Sequence, residues 1–274
     1  MKNQSSWEQS KFEWHRGRLR ASRDRRVMGV GSRLIADRVA DFYAKQIPLR
    51  CKGRLLDLGC GRVPLFHVYH PYVRDVTCVD WDRSLHGTQH LDIECDLSGL
   101  IPLPDNHFDT IILSDVLEHL PNPEQICSEI CRMLRPGGHL LANVPFYYPL
   151  HEEPHDYFRY TEFALRHFLS LAQLKVEVVQ SIGGPFDVIA DISAKLACVV
   201  PFFGPLGASA IQAFVGAVRR LPFLRRTFDR LAAKFPLGYV VVAQKPVNAP
   251  VRISHFKIGK DRLRTGQIAS TPAT

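Results

Sequence analysis

Leu55-Leu56-Asp57-Leu58-Gly59-Cys60-Gly61 reads as a buried strand that ends in a carboxylate and breaks into a glycine turn. Three leucines give the apolar run expected of a strand covered on both faces. Gly59 and Gly61 allow backbone conformations closed to other residues and let a ligand approach the main chain. In an open α/β sheet, the turn beyond the carboxyl end of the first strand is where a nucleotide-like ligand sits.

The surroundings continue the pattern. Arg74 to Asp80 (RDVTCVD) is rich in β-branched residues and ends in a second acid. A carboxylate there can accept from both hydroxyls of a ribose, with Asp82 as the near alternative. Leu91 to Leu97 follows with Asp96 near its end, then Phe108 to Ser114 as another apolar strand. Pro123 to Leu134 has Ile126, Ile130 and Leu134 on one helical face. Arg135-Pro136-Gly137-Gly138 is expected to stop that helix and reverse the chain into a fifth strand, His139 to Val144. Thr161 is placed to cap a helix reaching Leu174, and Lys175–Gln180 and Gly238–Gln244 read as the last two strands.

Asp57-x-Gly59-x-Gly61, with acids ending the following strands, resembles class I S-adenosylmethionine-dependent methyltransferases of the bacterial type 11-like group. The resemblance covers about residues 50–185 and the last strand. It implies a Rossmann-like α/β fold: seven strands flanked by helices, the last antiparallel, with a helical insertion between strands six and seven. It implies S-adenosylmethionine as cofactor, held by Asp57, Gly59, Gly61, Asp80, Asp96, Leu97 and Ser114. It also implies that the helix before the first strand covers the cofactor cleft, and that the Val116-Leu117-Glu118-His119 segment borders it. One departure stands out: where such loops often carry a glycine two residues after Gly61, this chain has Val63, followed by Pro64.

Chemistry is expected just after the fifth strand. Residues 145–161 (PFYYPLHEEPHDYFRYT) are dense in groups that donate, accept or stack. They resemble an H-x-x-P-x-D-Y-x-R-[FY]-T segment found in a subset of these enzymes. Some of that subset serve surface sugars and glycolipids, which suggests a small-molecule, sugar or lipid-linked glycan acceptor, methylated on oxygen. His151 is the candidate general base, with Asp156 to hold its tautomer or to pair with Arg159. His119, His155, Tyr157 and Arg159 are candidates for binding the acceptor. His151-Glu152-Glu153-Pro154-His155 satisfies H-E-x-x-H literally, but Pro154 would break the helix that a zinc site of that type needs. No metal is expected.

Charge is unevenly spread. Residues 1–50 carry a net +7, residues 51–185 a net −8 and residues 186–274 a net +9. Residues 1–27 read as a basic, mobile arm passing into a helix from about Val27 to Ile47, ended by Pro48. Residues 28–249 form the main domain, with an apolar and basic insertion at 186–236 and a basic tail at 250–274. From Leu196 to Val218 there are 23 residues without a charge, bordered by Lys195 and by Arg219-Arg220, with Arg225, Arg226, Arg230 and Lys234 beyond. Strands six and seven must return to one sheet, so a single crossing of a bilayer is excluded, and Pro201, Gly204, Pro205 and Gly207 divide the run. Segment 196–234 therefore suits a membrane surface, a lid over an apolar acceptor, or a homodimer contact.

The seven cysteines are scattered with no C-x-x-C pair, and no apolar run follows the start. Both features favour the cytoplasm, and segment 196–234 adds the expectation of peripheral contact at the inner membrane face. A non-catalytic S-adenosylmethionine-binding or regulatory protein is the alternative. A nicotinamide-dependent oxidoreductase is weaker, because its third loop glycine would fall at Pro64. Nucleic acid is set aside as a substrate, because Ser114-Asp115-Val116-Leu117 stands where an N-P-P-Y-type tetrad would follow strand four.

Overall fold

A computed structural model describes residues 1–82, 87–200, 203–218, 221 and 230–248. The expected tail at 250–274, together with Arg219, Arg220, Arg225 and Arg226, lies outside the described residues.

The amino-terminal stretch departs from the expected mobile arm. Strands β1 (Phe12–His15) and β2 (Arg18–Ala21) form an antiparallel hairpin. Its two-residue turn, Arg16-Gly17, has positive φ at both positions, 50° and 75°, which matches the right-handed twist of paired strands. Phe12, Leu19 and Ala21 point inward against the first long helix, α1 (Arg33–Arg50). Arg18 with Asp41, and Arg23 with Asp37, fasten the hairpin's edge to that helix. The helix starts later than expected, after a 3-10 turn at Val30–Ser32. Pro48 sits inside its last turn, where the missing N–H removes a single bond and does not end the helix.

Strand β3 (Arg54–Leu58) occupies the middle of a seven-stranded sheet. After it come the short helix α2 (Phe66–Tyr69), β4 (Asp75–Asp80), β5 (Ile93–Glu94), β6 (Phe108–Ser114) and α3 (Pro123–Met133). Then follow β7 (Leu134–Pro145), α4 (Glu162–Leu171), β8 (Lys175–Ile182), α5 (Pro185–Ala197), α6 (Gly204–Val218) and β9 (Gly238–Gln244). The order across the sheet is β5-β4-β3-β6-β7-β9-β8. β9 is inserted between β7 and β8 and runs antiparallel to both.

Alternate residues of the central strands feed two cores. Leu55 and Ile112 face the layer of α1 and α2, whereas Leu56, Leu58, Ile111 and Leu113 face α3 and α4. The expected reversal at Arg135–Gly138 is instead a bulged start to β7, because the register slips between Phe108 and Thr110. Gly137, at φ 81°, takes the bulge. Thr161 caps α4 by accepting from the Ala164 N–H, as expected.

The insertion contributes α5 and α6, which pack on each other and on the start of α1 through Leu34, Ala190 and Val215 and through Val30, Ala194 and Ala208. No helix among the described residues is long and apolar enough to cross a membrane. Buried Asp187 on α5 pairs with Arg38 of α1 at 3.0 Å, so the insertion is tied to the sheet-covering helix by charge as well as by packing.

Candidate active site

The site is assembled where parallel strands deliver their last residues to one edge of the sheet. Leu58 lies opposite Val79, and Asp80 opposite Glu94, so the turns after β3, β4 and β5 stand side by side. Asp57 is buried and accepts a 2.9 Å hydrogen bond from the Tyr69 hydroxyl of α2. Burial pushes its carboxyl up to about 7, against the lowering effect of that hydrogen bond, and the charge of Asp80 adds to the rise. Gly59 has φ 72°, and a Cβ there would come within 2.5 Å of the Val116 side chain. Only glycine fits this turn.

Gly61 donates its N–H to Asp80 Oδ2 at 2.8 Å, and Trp81 donates its own to Oδ1 at the same distance. The two backbone donors thus fix the direction in which the Asp80 carboxylate faces. Asp82, two residues on, is exposed. Asp96 is exposed and accepts from the Ser98 N–H, while Leu97 beside it is buried. Ser114 closes β6 opposite Asn143. The geometry thus suits a nucleoside with vicinal hydroxyls held along the edge from Gly59 to Leu97. Val63, the departure from the glycine pattern, is buried and adopts φ 51°, a left-handed conformation that glycine reaches without strain.

Residues 145–161 fold over the neighbouring strand ends. Arg159 forks onto Asp156, with Nη1 to Oδ1 at 2.5 Å and Nη2 to Oδ2 at 2.7 Å, and its other N–H groups reach the carbonyls of Tyr148, Pro149 and Phe158. The guanidinium holds the Asp156 carboxyl down to about 2. Asp156 clips Arg159, and its Oδ2 also lies 3.3 Å from His151 Nδ1. The His151 imidazole stands 4.7 Å, centre to centre, from that of His119 and edge-on to it. Burial, then the proximity of His119, lowers its pKa and favours the neutral ring. His155 turns away, bonding the Tyr157 hydroxyl at 3.2 Å and meeting the Trp81 ring edge-on at 5.1 Å. His151 and His155 therefore do not share a helical face, and the literal H-E-x-x-H pattern has no zinc-protease geometry.

Two features escaped the sequence. Glu118 is fully buried beneath His119 and His151, and neither carboxylate oxygen has a hydrogen-bond partner. Burial, with Asp115 nearby, raises its pKa well above the usual carboxylate range. An acid between Leu117 and Leu120, in an otherwise apolar turn, was the available signal. The second is a polar chain: Tyr43 donates to Asn143, Asn143 donates to Asp115, and Asp115 pairs with Lys11 at 2.5 Å. It ties α1, β7 and the amino-terminal segment to the end of β6. A separate groove of about 520 Å³ lies between α1 and the turn from β8 to α5, lined by Arg38, Phe42, Ile182 and Asp187 among others. None of the expected site residues borders it.

Comparison with known proteins gives a likeness over part of the chain. Residues 56–142 match a family described as a methyltransferase domain. A probable S-adenosylmethionine-dependent methyltransferase of Mycolicibacterium smegmatis is 29% identical over 44% of this chain and 50% of its own. A human thiol S-methyltransferase is 33% identical over 32% of this chain and 40% of its own. A ubiquinone biosynthesis O-methyltransferase of Coxiella burnetii is 29% identical over 36% and 46%. The chain thus spans about half the length, or less, of the curated relatives it matches. Among solved structures, a putative sarcosine dimethylglycine methyltransferase from Galdieria sulphuraria superposes with a TM-score of 0.51 at 15% identity, covering 78% of this chain and 88% of its own. A [4+2]-cyclase superposes with a TM-score of 0.50 at 19% identity, covering 77% and 83%, so the fold alone does not fix the reaction. Residues 56–142 are thus similar to a methyltransferase domain, and the relatives that share this stretch include a probable S-adenosylmethionine-dependent methyltransferase.

Proposed function

We propose that the protein transfers the methyl group of S-adenosylmethionine to an oxygen of a small molecule, a sugar or a lipid-linked glycan. The observation that carries this is the Asp80 carboxylate, oriented by the Gly61 and Trp81 N–H groups beside the Gly59 turn. The cofactor supplies a methyl already activated on a sulfonium. The chain's own residues have to align the acceptor with it and dispose of the acceptor's proton. His151 suits the second task, because Asp156 and the Pro149 carbonyl engage Nδ1 and leave Nε2 as the basic nitrogen. His119, His155, Tyr157 and Arg159 frame the acceptor's side of the loop. The ubiquinone-pathway relatives support an oxygen acceptor, whereas the human relative acts on a thiol.

Isothermal titration with S-adenosylmethionine and S-adenosylhomocysteine, with NADH as control, tests the reading. Micromolar binding of the first two, lost in Asp80→Ala, is expected. Binding of NADH alone would replace the transferase with an oxidoreductase. Binding without turnover over a panel of glycan and lipid acceptors would favour the non-catalytic alternative, which the valine at position 63 keeps in play.

We propose further that the insertion works against the inner face of an anionic membrane. Phe186, Ile189, Ile192, Leu196, Val199 and Val200 leave an exposed apolar face along α5 and just past it, with Phe203, Leu206 and Phe214 exposed beside them. The net +9 of residues 186–274 complements anionic headgroups. Flotation with phosphatidylglycerol vesicles should carry the protein up, and Ile189→Asp/Leu196→Asp should release it. Equal flotation of both proteins would sink the idea, and a dimer broken by the same variant would assign the face to a second copy.

A further inference from the structure

We propose that Glu118, His119 and His151 form a binding site for one first-row divalent cation, of the zinc or manganese type, which holds the acceptor's oxygen. One atom from each of the three residues lies within 4.8 Å of the others, with Glu118 Oε1 3.8 Å from His119 Nε2 and 3.9 Å from His151 Nε2.

The hydrogen bonds around the three groups point the same way. His119 Nδ1 is 2.9 Å from the His155 carbonyl, an acceptor that obliges it to carry the proton. His151 Nδ1 lies 3.3 Å from both the Pro149 carbonyl and Asp156 Oδ2, with the same consequence. Both rings therefore present bare Nε2 lone pairs to Glu118. A second acceptor behind the imidazole is how metal-ligating histidines are held. Glu118 is fully buried, its two oxygens have no hydrogen-bond partner, and His119 Nε2 has none either. A buried acid and a buried ring nitrogen without partners are costly unless something binds them.

The geometry needs only modest closure. Ligands at roughly 2.1 Å from a cation stand about 3 Å apart, so each side chain must move inward by less than a bond length. Two imidazoles and one carboxylate favour zinc, manganese, iron or cobalt over magnesium and calcium, which prefer oxygen. Three ligands also leave positions open for an acceptor. Glu152 Oε2, 3.9 Å from His119 Nε2, stands at the rim. The site shares only His151 with the literal H-E-x-x-H pattern.

The role follows from the methyl transfer proposed above, although the binding site does not depend on it. A hydroxyl on the cation becomes more acidic and loses its proton to solvent. The oxygen then bonds to the methyl carbon, the carbon–sulfur bond breaks, and its electron pair stays on sulfur as a neutral thioether. Nε2 of His151 cannot be both ligand and base, so the cation would take over the task assigned to that ring.

The test is a titration of the chelator-stripped full chain with Co²⁺, followed by visible absorption, with Zn²⁺ as competitor. One equivalent should bind and develop ligand-field bands. Glu118→Gln and His151→Ala should each weaken binding about 100-fold, and His155→Ala, which keeps the carbonyl used by His119, should not. Absence of a one-equivalent complex, or unchanged affinity in both folded variants, would overturn the proposal. Because His151 is partly exposed, its variant remains informative if Glu118→Gln fails to fold. Co²⁺ binding without S-adenosylmethionine binding would leave the metal site standing and overturn the transferase; the converse would do the opposite.

Discussion

The Tyr69 hydroxyl donates to the Asp57 carboxylate at 2.9 Å, inside the sheet and beneath the glycine turn. Burial raises the Asp57 pKa to about 7, above its unfolded value of about 4. A raised carboxyl favours the fold while protonated, so its contribution is complete below about pH 4 and is lost as pH rises through 7. Urea unfolding of Asp57→Asn should therefore gain on the wild type between pH 5 and pH 8. Tyr69→Phe removes a contact that lowers this pKa and should cost roughly 1.5–3 kcal/mol at pH 8, less at pH 5. Parallel pH profiles for the three proteins would refute the assignment.

Gly59→Ala places a methyl 2.5 Å from Val116 at φ 72°. The left-handed conformation alone costs roughly 1–2 kcal/mol, and the clash adds to it. Adding Val116→Ala should recover the clash but leave the backbone cost. Thermal melts of the single and double variants measure the split, and a double variant as stable as wild type would show that the turn is not left-handed.

Arg159→Lys keeps the charge on the loop but cannot fork onto both oxygens of Asp156. Hydrogen exchange across residues 147–160 should speed up about tenfold for a lost contact of about 1.4 kcal/mol, with the β3 amides unaffected. Exchange unchanged in the loop would mean that its prolines hold it without the clip.

Arg38→Ala removes the guanidinium that faces buried Asp187 at 3.0 Å. Loss of one partner from such a pair typically costs 3–5 kcal/mol, so about 3 kcal/mol is expected by urea unfolding. Arg38→Met/Asp187→Leu should restore most of it. A cost below about 0.5 kcal/mol for the single variant would place the pair among ordinary surface bridges.

Strands β3, β4 and β6 were legible in the sequence because each brings an acid at or just past its end, as at Asp57, Asp80 and Asp115, and β7 from the apolar run Leu140–Val144. The start of α6 was legible from Gly204 and Pro205. The hairpin at Phe12–Ala21 was hidden, since its inward residues alternate with arginines and its turn is Arg-Gly rather than Asn-Gly. The helix start moved because Gly29 and Gly31 interrupt the periodic stretch before Arg33. In the site, the glycines and strand-end acids could be read from spacing. Glu118 and Lys11 could not, since their importance lies in neighbours far off in the chain: His151 for one and Asp115 for the other.

Trp7 carries a consequence of its own. Its indole N–H donates to the Val63 carbonyl at 3.1 Å, and its ring stacks on His67 at 5.4 Å. The fluorophore is thereby fastened to the back of the turn that carries Gly59 and Gly61. Any ligand that resets the peptide at Val63 alters the polarity and quenching felt by that indole. The chain has a built-in optical gauge of its glycine loop, and entry of a ligand there should be visible in its emission without a label.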